Sequence, residues 1–188
     1  MTGATVRDEA SLGCLILALV ALGAGLVETA VGAGTRVVPG TAFVAWGLAH
    51  LAWAVWLLYR GRIVGAGPAL AVSLLAVLAW PALVVLAGKE VGWQDLLRPL
   101  PLLAIAVLNL AIAVTLVADL RRARSESVSA GVPAAHRRSA GAYFTCFVVV
   151  AAAVAALVTP ALAATPAGDS AVPHGEHLIL DIPGVHGH

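Results

Sequence analysis

Five long apolar stretches dominate the chain, separated by short runs of Gly, Pro or charged residues. They extend from about Leu12 to Gly34, Thr41 to Tyr59, Val64 to Gly88, Leu100 to Leu120 and Ala142 to Ala164. A helix crossing the hydrocarbon core of a bilayer needs about 20 predominantly apolar residues, and each stretch is close to that length. Strands of a membrane barrel would be about 10 residues long with alternating polarity, and no such alternation is present. The pattern predicts an all-α integral membrane protein: a five-transmembrane-helix bundle over residues 1–164 and an extracytoplasmic tail over 165–188.

Composition narrows the reading. The 188 residues are 61% hydrophobic and 11% charged, with a mean hydropathy of +0.96. A soluble domain is about 45–50% apolar and about 25% charged, so an ordinary water-soluble fold is excluded. A formal net charge of +1 argues against a nucleic-acid binder, and two cysteines are too few for a disulfide scaffold. Ten Arg stand against one Lys, with abundant Ala, Gly and Val. That bias suits GC-rich codons and points to a bacterial plasma membrane.

Lys and Arg resist translocation, so basic loops mark the cytoplasmic side. One face of a five-span bundle carries Arg7, Arg60, Arg62, Arg121, Arg122, Arg124, Arg137 and Arg138, eight in all. The other carries three, Arg36, Lys89 and Arg98, and the tail has none. The N-terminus is therefore expected in the cytoplasm and the tail outside. Leu12-Gly13-Cys14 resembles the end of a lipoprotein signal, but no apolar segment precedes it, so Cys14 is not expected to be lipidated. The first span follows Asp8-Glu9 rather than a basic cluster and is expected to be retained. Cys14 and Cys146 both fall at cytoplasmic helix ends and are expected to act as small packing residues.

The second and fourth spans align at an offset of 59 residues, which sets Ala45, Leu51, Ala52, Ala54, Val55, Leu57 and Arg62 opposite Ala104, Leu110, Ala111, Ala113, Val114, Leu116 and Arg121. This suggests two tandem helix pairs with a fifth helix appended. In the same register His50 falls opposite Asn109. The loop 121–141 holds five Arg and reads as a cytoplasmic linker against anionic headgroups. The Lys89–Pro99 loop suits a short interfacial helix anchored by Trp93. Pro81 is expected to kink the third span.

Polar groups within spans are costly, about 2.5–3.5 kcal/mol for an ionised side chain at mid-helix. Glu28, His50 and Asn109 are the deepest of them and form the candidate intramembrane polar site. At a rise of 1.5 Å per residue, Glu28 is roughly 9 Å and His50 roughly 13 Å below the outer boundary. The short connection makes the first two helices antiparallel neighbours, so the two side chains are expected to come within reach and share a hydrogen bond. Such a pair could form a proton-responsive or ligand-binding pocket open to the outside. Trp46, His50 and Trp53 recur at i, i+4 and i+7, with Trp56 extending the row. This aromatic face suits an apolar or cationic ligand, lipid or another subunit.

The tail supplies His174, Glu176, His177, His186 and His188, imidazoles flanked by Gly that suit Cu or Zn. Between them, Leu178 to Pro183 is apolar enough to dock as an extended strand on a partner or on the outer face of the bundle. No His-Glu-x-x-His, Gly-x-Ser-x-Gly or phosphate-binding loop is present, and no residue pattern resembles a known family. The expected function is a non-enzymatic accessory subunit that sits in the lipid bilayer with other membrane-protein subunits. The alternative is a small transporter or metal-handling protein, with the tail collecting Cu or Zn and a polar path through Glu28, His50 and Asn109.

Overall fold

The computed structural model describes residues 12–34, 38–87, 98–128 and 140–169. These form α1 (Leu12–Ala33), α2 (Val38–Arg60), α3 (Ala66–Ala87), α4 (Pro99–Val128), α5 (Ala140–Ala163) and the single turn α6 (Pro166–Asp169). Among the described residues there is no strand. Four helical segments are long and apolar enough to cross a membrane: Leu12–Ala33, Gly40–Arg60, Pro99–Ser125 and Gly141–Ala163. α3 contributes a shorter apolar stretch, Ala66–Ala79. The long apolar helices are those of a multi-pass membrane protein, and Val55, Leu78, Val114 and Phe144 expose apolar surface as lipid contact requires.

α1 is the central helix. It packs on α2, α4 and α5, while α3 packs on α4. Small side chains make this possible, because lipid tails are as apolar as Leu and helix association in a bilayer depends on close van der Waals fit. Cys14, Ala18, Ala21 and Ala24 are fully buried along α1, with Leu17 and Val27 filling the space between them. Ile105, Ile112 and Leu116 of α4 complete the same core.

The α1–α2 contact is the closest in the bundle, and glycines on both helices set it. A β-carbon at Gly25 would lie 2.7 Å from the Gly47 carbonyl oxygen, and one at Gly47 would strike the Thr29 hydroxyl and lie 2.7 Å from the Gly25 carbonyl oxygen. Gly32 is blocked in the same way by the Gly40 carbonyl oxygen and the Val44 backbone. Gly25 and Gly32 on α1, like Gly40 and Gly47 on α2, are seven residues apart. Two helical turns separate the members of each pair, so both lie on one face.

The α2–α3 connection behaves differently. Gly61 (φ 65°) and Gly65 (φ 72°) both take the left-handed conformation, which costs glycine nothing and other residues much. The Gly61 amide donates to the Leu57 carbonyl and closes α2. α3 then departs at an angle that leaves it on α4; among the described residues it is not packed on α2.

Two boundaries differ from the sequence expectation. α4 continues to Val128, so the basic run Arg121 to Arg124 is exposed helix rather than the start of a linker. A helix leaving the core needs no apolar face, and the Ser125 hydroxyl donates back to the Arg121 carbonyl at 3.0 Å. The tail also does not begin as free chain. The Thr165 hydroxyl donates to the Leu162 carbonyl at 2.7 Å and accepts from the Gly168 amide at 3.1 Å, ending α5 and capping α6. Arg98, at the start of α4, holds this turn by an ion pair with Asp169 at 2.6 Å and a hydrogen bond to the Ala164 carbonyl. The interfacial helix expected around Trp93, the rest of the expected linker over 129–139 and the tail over 170–188 lie outside the described residues.

Candidate functional site

Glu28 sits on the buried face of α1, one turn beyond Ala24 and one turn before Gly32. The glycine contacts bring α2 against this face closely enough for a side chain of α2 to reach it. His50 does so: its Nδ1 lies 2.7 Å from Glu28 Oε2. From the opposite side, Asn109 of α4 donates through Nδ2 to Glu28 Oε1 at 3.0 Å and to its own helix at the Ile105 carbonyl. Both partners of that nitrogen are acceptors, which fixes the orientation of the amide. Glu28 and Asn109 are 0% exposed and His50 is 5% exposed.

The structure therefore gathers all three expected residues of the intramembrane polar site into one hydrogen-bonded centre. Each carboxylate oxygen has a partner, which is how a buried carboxyl group becomes tolerable away from water. His50 and Asn109, aligned in the sequence at the offset of 59 residues, reach the same carboxyl group from two helices. Asn109 Oδ1 is buried and has no hydrogen-bond partner.

His50 also forms part of a second feature. Because α2 and α3 diverge, a groove of about 450 Å³ separates them, lined on the α2 side by Trp46, Ala49, His50, Trp53 and Trp56. On the α3 side it is lined by smaller groups, among them Gly65, Ala69, Val72 and Ser73. The expected aromatic face, Trp46, Trp53 and Trp56, is thus a groove wall. Trp46 meets the His50 ring edge-on, with centroids 6.3 Å apart and planes at 74°. Trp53 donates from Nε1 to the Val64 carbonyl at 3.2 Å and ties the wall to the interhelical loop. The Arg60 guanidinium covers the outer Trp56 ring at 5.7 Å. The Trp46 indole nitrogen is buried and has no hydrogen-bond partner.

The groove runs from Trp46 and His50 to the α2–α3 loop at Val64 and Gly65. Glycine packing seals α1 against α2 around Glu28, whereas the next loop, with its two left-handed glycines, leaves α3 apart from α2. Ser73 is the one hydroxyl in the lining, and no hydrogen bond joins it to His50 among the described residues.

Sequence reasoning identified the polar trio and the tryptophans but did not single out Gly32, Gly40 or Gly47, which set the geometry of the pair. Their signal is the matched seven-residue spacing on successive spans. Cys14 is buried, its thiol donating to the Leu57 carbonyl at 3.5 Å, and no disulfide joins it to Cys146. Among the described residues no three His, Cys, Asp or Glu side chains assemble as a metal-binding group. The expected tail ligands His174, Glu176, His177, His186 and His188 lie outside the described residues. Comparison with protein-family models, with curated proteins and with solved structures finds no match to this chain.

Proposed function

We propose that this chain is a non-enzymatic, five-span protein of a bacterial plasma membrane, its N-terminus cytoplasmic, that serves as an accessory subunit of a larger membrane complex. The observation that carries this reading is the shape of the polar site. Glu28, His50 and Asn109 close on one another at a single point instead of spacing out as steps across the bundle. Along α1 toward Cys14 the neighbouring core is apolar. A cluster of this kind positions and binds, whereas a transport pathway needs polar groups or water along its length.

The reading of α3 as a fifth span is supported by its helical length, Ala66 to Ala87, together with the basic residues at the ends of α2 and α4.

The test is the native mass of the untagged protein extracted gently from its own membranes. A mass well above small multiples of 19.0 kDa, with other polypeptides present, supports the subunit reading. A bare monomer or homodimer, with membrane complexes intact after deletion, contradicts it. A metal or solute flux lost in His50→Ala would instead favour the transporter.

A further inference from the structure

We propose that the exposed side of α4 binds an anionic phospholipid, with its acyl chains on an apolar stripe and its phosphate among Arg121, Arg122 and Arg124. The inference is independent of the subunit reading and rests only on α4 crossing the membrane.

The first observation is the register of α4. Leu103, Val107, Leu110 and Val114 are exposed along the helix, spaced by four, three and four residues. That spacing keeps them on one side of the helix. Arg121 is eighteen residues beyond Leu103. Eighteen residues make about five full turns, so Arg121 falls on the same side. The two are about 27 Å apart along the axis, close to the ~30 Å thickness of the hydrocarbon core. Lipid tails that cover the stripe therefore bring their phosphates to the level of Arg121.

The second observation is that the helix does not stop where its apolar run stops. α4 continues to Val128, so the same register places the next arginines. Arg124 falls about 60° to one side of Arg121, and Arg122 about 100° to the other. All three are exposed. Among the described residues neither Arg121 nor Arg122 is held in an ion pair. The acidic positions of this stretch lie around the far side of the helix, Asp119 about 160° and Glu126 about 140° from Arg121.

The third observation is the contrast with Arg98 at the start of α4. Its charge is met by Asp169 at 2.6 Å, and it donates to the Ala164 carbonyl as well. Arg121 and Arg122 have no such partner in the described chain, and the anion beside them is the lipid phosphate at the end of the stripe. A guanidinium suits that group, because its planar fork meets two oxygens of one phosphate. A zwitterionic headgroup offers the same phosphate but cancels it with its own cation. The site therefore favours a headgroup with net negative charge.

The test uses the full chain in mild detergent, titrated with phosphatidylglycerol or phosphatidylcholine of identical acyl chains, with bound lipid counted by native mass spectrometry. The wild type should hold phosphatidylglycerol at least tenfold more tightly. Arg121→Gln should weaken that binding about fivefold, the worth of one arginine at an anionic surface. Replacing Arg121, Arg122 and Arg124 together by Gln should make the two lipids bind alike. Arg62→Gln removes the same charge from an exposed position beyond α2, off the stripe, and should change the affinity by less than twofold. Gln is a good helix former, so these exposed replacements retain the fold.

Equal binding of the two lipids by the wild type would overturn the proposal and leave the arginines to an acidic protein surface. Equal losses in Arg62→Gln and Arg121→Gln would also overturn it, since net charge and not the register of α4 would then set the preference.

Discussion

The two faces of α2 make opposite use of the same membrane. Its Gly40–Gly47 face meets α1 so closely that no methyl group fits at Gly47, and it delivers His50 to Glu28 at 2.7 Å. Among the described residues its Trp46–Trp53–Trp56 face packs closely on no other helix and borders a groove of about 450 Å³. In water the second face would be driven to close. In lipid it is not, because apolar surface gains nothing by leaving one hydrocarbon environment for another. What decides packing is whether two backbones can approach, and glycine permits that where tryptophan prevents it. Partial burial follows the same rule: His50 lies on the border between the faces, with one ring nitrogen in the sealed interface and the other ring edge on the groove.

The sharpest way to break the contrast is to remove the close approach. Gly47→Leu drives a side chain into the Gly25 carbonyl and the Thr29 side chain, and α1 and α2 must separate. The expected loss is about 3 kcal/mol, the upper part of the usual overpacking range, read from reversible unfolding in mixed micelles. Glu28→Ala should come next. It leaves His50 Nδ1 and an Asn109 donor without their partner, at a cost of about 2 kcal/mol if each hydrogen bond contributes about 1 kcal/mol. Glu28→Gln retains an acceptor for Asn109 and should recover at least half of that loss in the same assay.

The groove side should respond more weakly. Trp53→Phe keeps the aromatic body and loses the hydrogen bond to the Val64 carbonyl, so about 1 kcal/mol or less is expected. Ala69→Leu adds bulk on a half-open wall and should change stability by no more than about 0.5 kcal/mol. A large destabilisation by Ala69→Leu, or a negligible one by Gly47→Leu, would reverse the assignment of the tight and open faces.

Much of this was legible in the residues. The long helices follow from apolar run length, and the structure moves their ends by only a few residues, except at α4. There the helix persists to Val128 because charged side chains beyond the bilayer are good helix formers and face water. The polar trio could be found because Glu, His and Asn are conspicuous among Ala, Leu and Val. That Glu28 and His50 come into contact followed from depth and a short connection. Their contact with Asn109 did not, because packing of α4 on α1 is a tertiary choice that a run of apolar residues leaves open.

The glycines were hidden for a different reason. In a chain with 19 Gly, no single one stands out, and only the equal spacing on adjacent helices distinguishes Gly25, Gly32, Gly40 and Gly47. The groove was illegible for a third reason. A tryptophan row looks the same whether it faces lipid, a neighbour or a gap, and its surroundings depend on the angle at which Gly61 and Gly65 release α3. Thr165 closing α5 and capping α6 was readable in principle from Thr-Pro-Ala-Gly-Asp, a short polar cluster directly after an apolar helix.

The claim on which the rest depends is that Glu28 and His50 form one coupled unit inside the bundle. A double-mutant cycle with Glu28→Ala and His50→Ala, followed by unfolding in mixed micelles, measures that coupling directly. The account predicts a favourable interaction of about 1–2 kcal/mol, near the top of the range known for hydrogen bonds between membrane helices. Additive losses, with a coupling indistinguishable from zero, would contradict it.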